Sequence, residues 1–79
     1  MKIVVTYDII EEHEDEYDDF YELRDEYKAV SLTKSTYLFN IKISKELFIK
    51  RVNSIFKKGD TVCYIFVDDE YELDYDIYG

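Results

Sequence analysis

Carboxylates are the side chains with the most capacity for chemistry in this 79-residue chain, and all nineteen are segregated along it. From Asp8 to Glu26 there are eleven (Asp8, Glu11, Glu12, Glu14, Asp15, Glu16, Asp18, Asp19, Glu22, Asp25, Glu26) against the single base Arg24. From Lys28 to Asp60 the balance reverses, with eight bases against Glu46 and Asp60. After Val67 the acids Asp68, Asp69, Glu70, Glu72, Asp74 and Asp76 have no base among them. Such groups have two chemical uses. A few converging oxygens can hold a hard divalent cation, whereas a long array can stand in for nucleic-acid phosphates. At about 1.5 Å rise per helical residue the Asp8–Glu26 run carries one charge per about 2.6 Å, against one per about 1.7 Å in duplex DNA. Glu72, Asp74 and Asp76 would line one strand face at intervals of about 6.7 Å. A net charge of −9 repels a phosphate backbone and attracts cationic surfaces.

Other chemistry is sparse. His13 and Cys63 are the single histidine and cysteine and lie in unrelated contexts, so no Ser-His-Asp or Cys-His arrangement arises. One cysteine also excludes an internal disulfide and a multi-cysteine metal site. His13, inside the acidic run, reads as a solvated group; Cys63, on an apolar strand, reads as a small core residue. No cofactor is expected. Lys50, Arg51, Lys57 and Lys58 form a basic stripe without interleaved exposed aromatics, a weak pattern for binding nucleic acid directly.

The elements that must position these groups belong to one domain, residues 1–79. Hydrophobic residues make up 47% of the chain and aromatics 18%, which separates it from acidic disordered sequences. A chain this short buries only about 60% of its unfolded surface, so self-association into a homodimer is expected as a way to bury more. No apolar run approaches a membrane span, and the opening MKIVVTYDII lacks the form of a signal peptide. A cytoplasmic protein with no membrane contact is the expectation.

Lys2–Ile10 alternates as a strand that is apolar on both faces until Asp8, which predicts an interior strand. The period then changes: Phe20, Leu23 and Tyr27, flanked by Tyr17 and Tyr21, predict an amphipathic helix over Glu14–Tyr27. Short strands follow over Ala29–Thr33 and Thr36–Ile43, with Lys34-Ser35 as the turn. Ser44 is a helix N-cap, and Phe48, Ile49, Val52, Ile55 and Phe56 carry the second helix to Lys57, with Gly59 as the stop. Thr61–Val67 and Tyr71–Tyr78 complete the pattern. Right-handed crossovers turn strand-helix-strand-strand-helix-strand into an α+β, ferredoxin-like sheet with an additional C-terminal strand.

VVTYDI, the acidic helix, the Ser-Thr-Tyr-Leu opening of the third strand and KGDTVCYIFV in the fourth together resemble the CRISPR-associated Cas-two family and its small free-standing relatives. The resemblance covers nearly the whole chain, by pattern more than by identity. It implies a ferredoxin-like homodimer in which Asp8, after the first strand, meets its counterpart around a shared Mg or Mn ion for phosphodiester hydrolysis. Asp60, expected at the same sheet end, is a further metal candidate. The chain departs from the family where basic residues would follow that aspartate: here stand Glu11, Glu12, Glu14, Asp15, Glu16, Asp18 and Asp19. Like charge beside a phosphate site opposes binding by about 1 kcal/mol per close pair even in bulk water.

The expectation is therefore a non-catalytic, acidic interaction protein. It would mimic nucleic acid and block the basic groove of a nucleic-acid-binding protein of the CRISPR or restriction type, an anti-CRISPR-like inhibitor. Its partner-binding residues would be Glu11, Glu12, Glu14, Asp15, Glu16, Asp18, Asp19, Glu22, Asp25, Glu26, Glu72, Asp74 and Asp76. The alternatives are a metal-dependent nuclease using Asp8 across the homodimer and a small structural or toxin-antitoxin subunit.

Overall fold

Alternation followed by helical spacing produces, in a computed structural model, β1 (Lys2–Asp8), α1 (Glu16–Tyr27), β2 (Val30–Thr33), β3 (Thr36–Asn40), α2 (Lys45–Asn53) and β4 (Thr61–Val67). The structure describes residues 1–10 and 16–68, and for Glu16 and Tyr17 the backbone alone. The strand expected over Tyr71–Tyr78 lies outside the described residues. The architecture is α+β: the described residues form two helices and a four-stranded antiparallel sheet in the order β2-β3-β1-β4.

β1 is interior, as its two apolar faces predict. Val4 faces Leu38 on one side and Ile65 on the other. Strand parity then divides the sheet. Ile3, Val5, Tyr7 and Ile9 join Tyr37, Phe39 and Ile41 in one buried cluster, to which α1 contributes Phe20 and Leu23 and α2 contributes Phe48 and Val52. Both helices thus cover the same face. Phe20 touches Tyr37 and Phe39 with ring centroids 5.5 and 6.1 Å away, and Phe39 meets Phe48 at 5.0 Å. The opposite face carries the apolar row Val30, Leu38, Val4 and Ile65, and Ile65 is 57% exposed.

Local chemistry sets the ends. α1 closes in a Schellman motif: Lys28 adopts φ 52°, its N–H donates to Asp25 O, and the Ala29 N–H donates to Arg24 O. Ser44 caps α2 as expected, its hydroxyl accepting from the Leu47 N–H at 3.3 Å. The Lys34-Ser35 turn joins β2 and β3, with a bulge between Ser31 and Thr33.

Several boundaries and roles differ from expectation. β1 stops at Asp8 rather than Ile10, because the Ile10 N–H donates to an Asp60 carboxylate oxygen at 3.0 Å instead of a strand neighbour. β3 stops at Asn40 rather than Ile43, one pair before the Ile41 N–H to Met1 O bond that continues the Lys2–Asn40 register. α2 ends at Asn53, four residues short of Lys57: the Ser54 hydroxyl folds back onto Arg51 O at 2.6 Å. Gly59 therefore does not stop the helix. It sits in the turn closed by Asp60 N–H on Lys57 O, at φ 102°, where a Cβ would stand 3.1 Å from Ile10 Cδ1. Only glycine meets both demands easily.

Candidate functional site

The residues on α1 fall into three sectors. Phe20, Leu23 and Tyr27 point toward the core, while Asp18, Asp19, Glu22, Asp25 and Glu26 are exposed. At 3.6 residues per turn these five acids occupy about 120° of the helix circumference. Arg24 and Tyr21 make up the third sector. Of the other predicted partner-binding acids, Glu16 opens α1; Glu11, Glu12, Glu14, Asp15, Glu72, Asp74 and Asp76 lie outside the described residues, as does His13.

Two of the five acids are neutralised from within. Asp25 accepts from Arg24, its Oδ1 lying 3.0 Å from Nη2 and 3.1 Å from Nε. Glu26 accepts from Arg51 of α2, which also donates to the Tyr27 hydroxyl at 3.5 Å. One residue of the expected basic stripe is thus spent on the acidic helix of its own chain. Lys57 and Lys58 lie in the loop beyond α2 rather than at its C-terminus. Asp18, Asp19 and Glu22 make no ion pair among the described residues. They form the uncompensated part of the face.

The Arg51 hydrogen bond holds the Glu26 carboxyl below its ordinary range. A carboxyl depressed on folding contributes stability above its unfolded pKa, and that contribution is lost as pH falls through the folded value. Glu26→Gln is therefore expected to flatten the acid limb of the stability curve. Added salt should produce a similar flattening in the parent protein, because the pair is exposed. Urea melts across the carboxylate range check this; identical acid limbs in parent and variant would refute it.

Asp8 and Asp60 lie at the same end of the sheet, as the topology predicts: Asp8 faces Thr61, the neighbour of Asp60. Their environments differ. Asp8 is exposed, whereas both Asp60 oxygens accept backbone N–H groups, Oδ1 from Ile10 at 3.0 Å and Oδ2 from Lys57 at 2.8 Å. Asp60 thereby clips the end of β1 to the loop before β4. Among the described residues no three His, Cys, Asp or Glu side chains gather to hold a metal ion. Cys63 is exposed rather than part of the core. It pairs with Thr6 on the sheet face away from the helices, while its neighbours Val62 and Tyr64 pack on the core. The Tyr64 hydroxyl donates to Asn53 Oδ1 at 2.6 Å, and burial pushes its pKa up to about 12.

Sequence reasoning missed a recess of about 560 Å³ at the same sheet end, lined by Tyr7, Tyr21, Ser31, Lys34, Ser35 and Tyr37. Lys34-Ser35 was legible only as a turn, and the abundance of tyrosine was the one available signal. Arg24 stands beside the recess, its Cζ 4.7 Å from the Tyr21 centroid and 5.8 Å from that of Tyr37. Hydrogen bonds to Tyr37 first and Asp25 second raise its pKa above the ordinary guanidinium value. Among known proteins, no family model and no curated sequence matches the chain.

Proposed function

We propose that the protein is a non-catalytic, acidic interaction protein whose α1 face occupies the basic groove of a nucleic-acid-binding protein, in the manner of an inhibitor of CRISPR or restriction systems. The observation that carries this reading is the exposed Asp18, Asp19 and Glu22 group, which makes no ion pair among the described residues and stands on a helix whose opposite side is anchored in the core. Burial of Phe20 and Leu23 fixes the helix rotation, so these charges are held in place rather than dangling. A preorganised charge array loses less entropy on binding. Element order and sheet order support a ferredoxin-like fold of the Cas-two-like type. The Val30, Leu38, Val4 and Ile65 row, of which Ile65 is the exposed member, supports a homodimer formed through that sheet face.

The test is light scattering and titration calorimetry on the protein alone and mixed with a restriction or CRISPR nuclease that has an open basic groove. The protein alone is expected at dimer mass. Complex affinity should fall steeply between about 50 and about 500 mM salt as charges are screened. The variant Asp18→Asn, Asp19→Asn, Glu22→Gln should bind about 100-fold more weakly, the sum of three modest charge contacts. Affinity indifferent to both salt and these substitutions sinks the proposal.

A second reading, the Mg- or Mn-dependent nuclease acting through Asp8 of two protomers, is favoured by one observation. Asp8 is an exposed carboxylate at the end of the central strand and makes no ion pair among the described residues.

A further inference from the structure

The Tyr7–Tyr37 recess is a cationic, aromatic site on an otherwise anionic chain. Among the described residues its titratable lining groups are three phenols and one ammonium. Tyr7 and Tyr37 form a buried floor, 4% and 3% exposed, with their ring planes within 6° of parallel. The Tyr7 hydroxyl donates to Lys34 O at 3.3 Å and fixes the turn against that floor. Tyr21, 37% exposed, supplies a wall whose ring is steadied by the Arg24 guanidinium. At the rim stand the exposed Lys34 ammonium, which makes no ion pair among the described residues, and the Ser35 hydroxyl.

We infer that this recess binds a small molecule joining a flat heteroaromatic ring to a phosphate, the class of nucleoside monophosphates. Each half of the ligand has a matching feature. The exposed Tyr21 ring can take a planar ring by stacking, an interaction that tolerates different bases, while the buried Tyr7 and Tyr37 rings hold the floor in place. Lys34 meets a phosphate as a point charge, and the Ser35 hydroxyl adds a hydrogen-bond donor. Arg24 contributes through its field and through Tyr21, since Asp25 already occupies part of its donor set. The volume, about 560 Å³, lies within the range of small-molecule sites. The inference is independent of the acidic face and of any partner protein.

The experiment is a two-dimensional amide NMR titration of the full chain with AMP, adenosine and inorganic phosphate in parallel. AMP is expected to shift the Ser31, Lys34 and Ser35 amides saturably, with a Kd of about 1 mM or tighter. Lys34→Ala should weaken AMP about 5-fold, the scale of one exposed ion pair, and leave adenosine unchanged. Tyr21→Ala should weaken AMP about 10-fold through lost stacking. Both positions are exposed, so neither variant should unfold, and the spectra themselves report the fold. No saturable shift by about 10 mM AMP overturns the inference. So does Lys34→Ala binding like the parent, or adenosine or phosphate alone binding as tightly as AMP.

Discussion

Phe20→Ala is expected to lower the unfolding free energy by about 3–5 kcal/mol. Phe20 is fully buried, and its ring lies 4.5 Å from Tyr7 and 5.8 Å from Phe56, in addition to its contacts with Tyr37 and Phe39. Removing it empties the place where α1, both central strands and the segment after α2 converge. The surrounding rings are large and held on a sheet, so they can close the cavity only in part. A domain of this size holds on the order of 5 kcal/mol in total. The variant should therefore populate unfolded chain at room temperature. Urea denaturation followed by circular dichroism reads the loss directly. The exposed Tyr21→Ala serves as the aromatic control, with a change expected within about 0.5 kcal/mol. A Phe20→Ala loss below about 1 kcal/mol would mean that α1 is not anchored as described.

Asp60→Ala is expected to cost about 2–3 kcal/mol, because it strands two backbone donors, the Ile10 and Lys57 N–H groups. Asp60→Asn keeps one carbonyl acceptor and should recover about half of that loss. Hydrogen exchange offers a local check: the Ile10 and Lys57 amides should lose protection before those of β1. The nuclease reading makes a different forecast. If Asp8 and Asp60 shared a metal ion, Asp60→Ala would lose the clip and the ion together. Magnesium-dependent cleavage of RNA or DNA would then be present in the parent and abolished by Asp60→Ala and Asp8→Ala alike. Stability loss without any cleavage in the parent assigns Asp60 to the clip alone.

These expectations show which features a linear reading could reach. Element order was legible because the apolar period switches between two and 3.6 residues at identifiable places, and β1 declared its interior position through apolar residues on both faces. The same property hid the orientation of β4. With Val62, Tyr64 and Phe66 on one side and Cys63, Ile65 and Val67 on the other, parity alone could not choose the core face, so Cys63 was misplaced. The end of α2 was missed because Ile55 and Phe56 continue the helical apolar spacing after the helix has stopped; both still pack on the core. Asp60 was legible as a metal candidate, but its bond to the Ile10 N–H was not, because Ile10 stands fifty residues away. The acidic character of α1 was visible at once. That Glu26 and Asp25 are answered by Arg51 and Arg24 was not, since both answers depend on how side chains meet in space.

The antiparallel match of Lys2 with Val67 means that β1, synthesised before the other described strands, waits for β4. Until β4 has been synthesised, one edge of β1 offers its hydrogen bonds to whatever lies nearby, while β2 and β3 can already form their hairpin. Long-range pairing of this kind slows folding relative to local contacts. Closure of the sheet is thereby tied to synthesis of β4, and a message truncated before β4 yields a chain in which β1 keeps an adhesive edge.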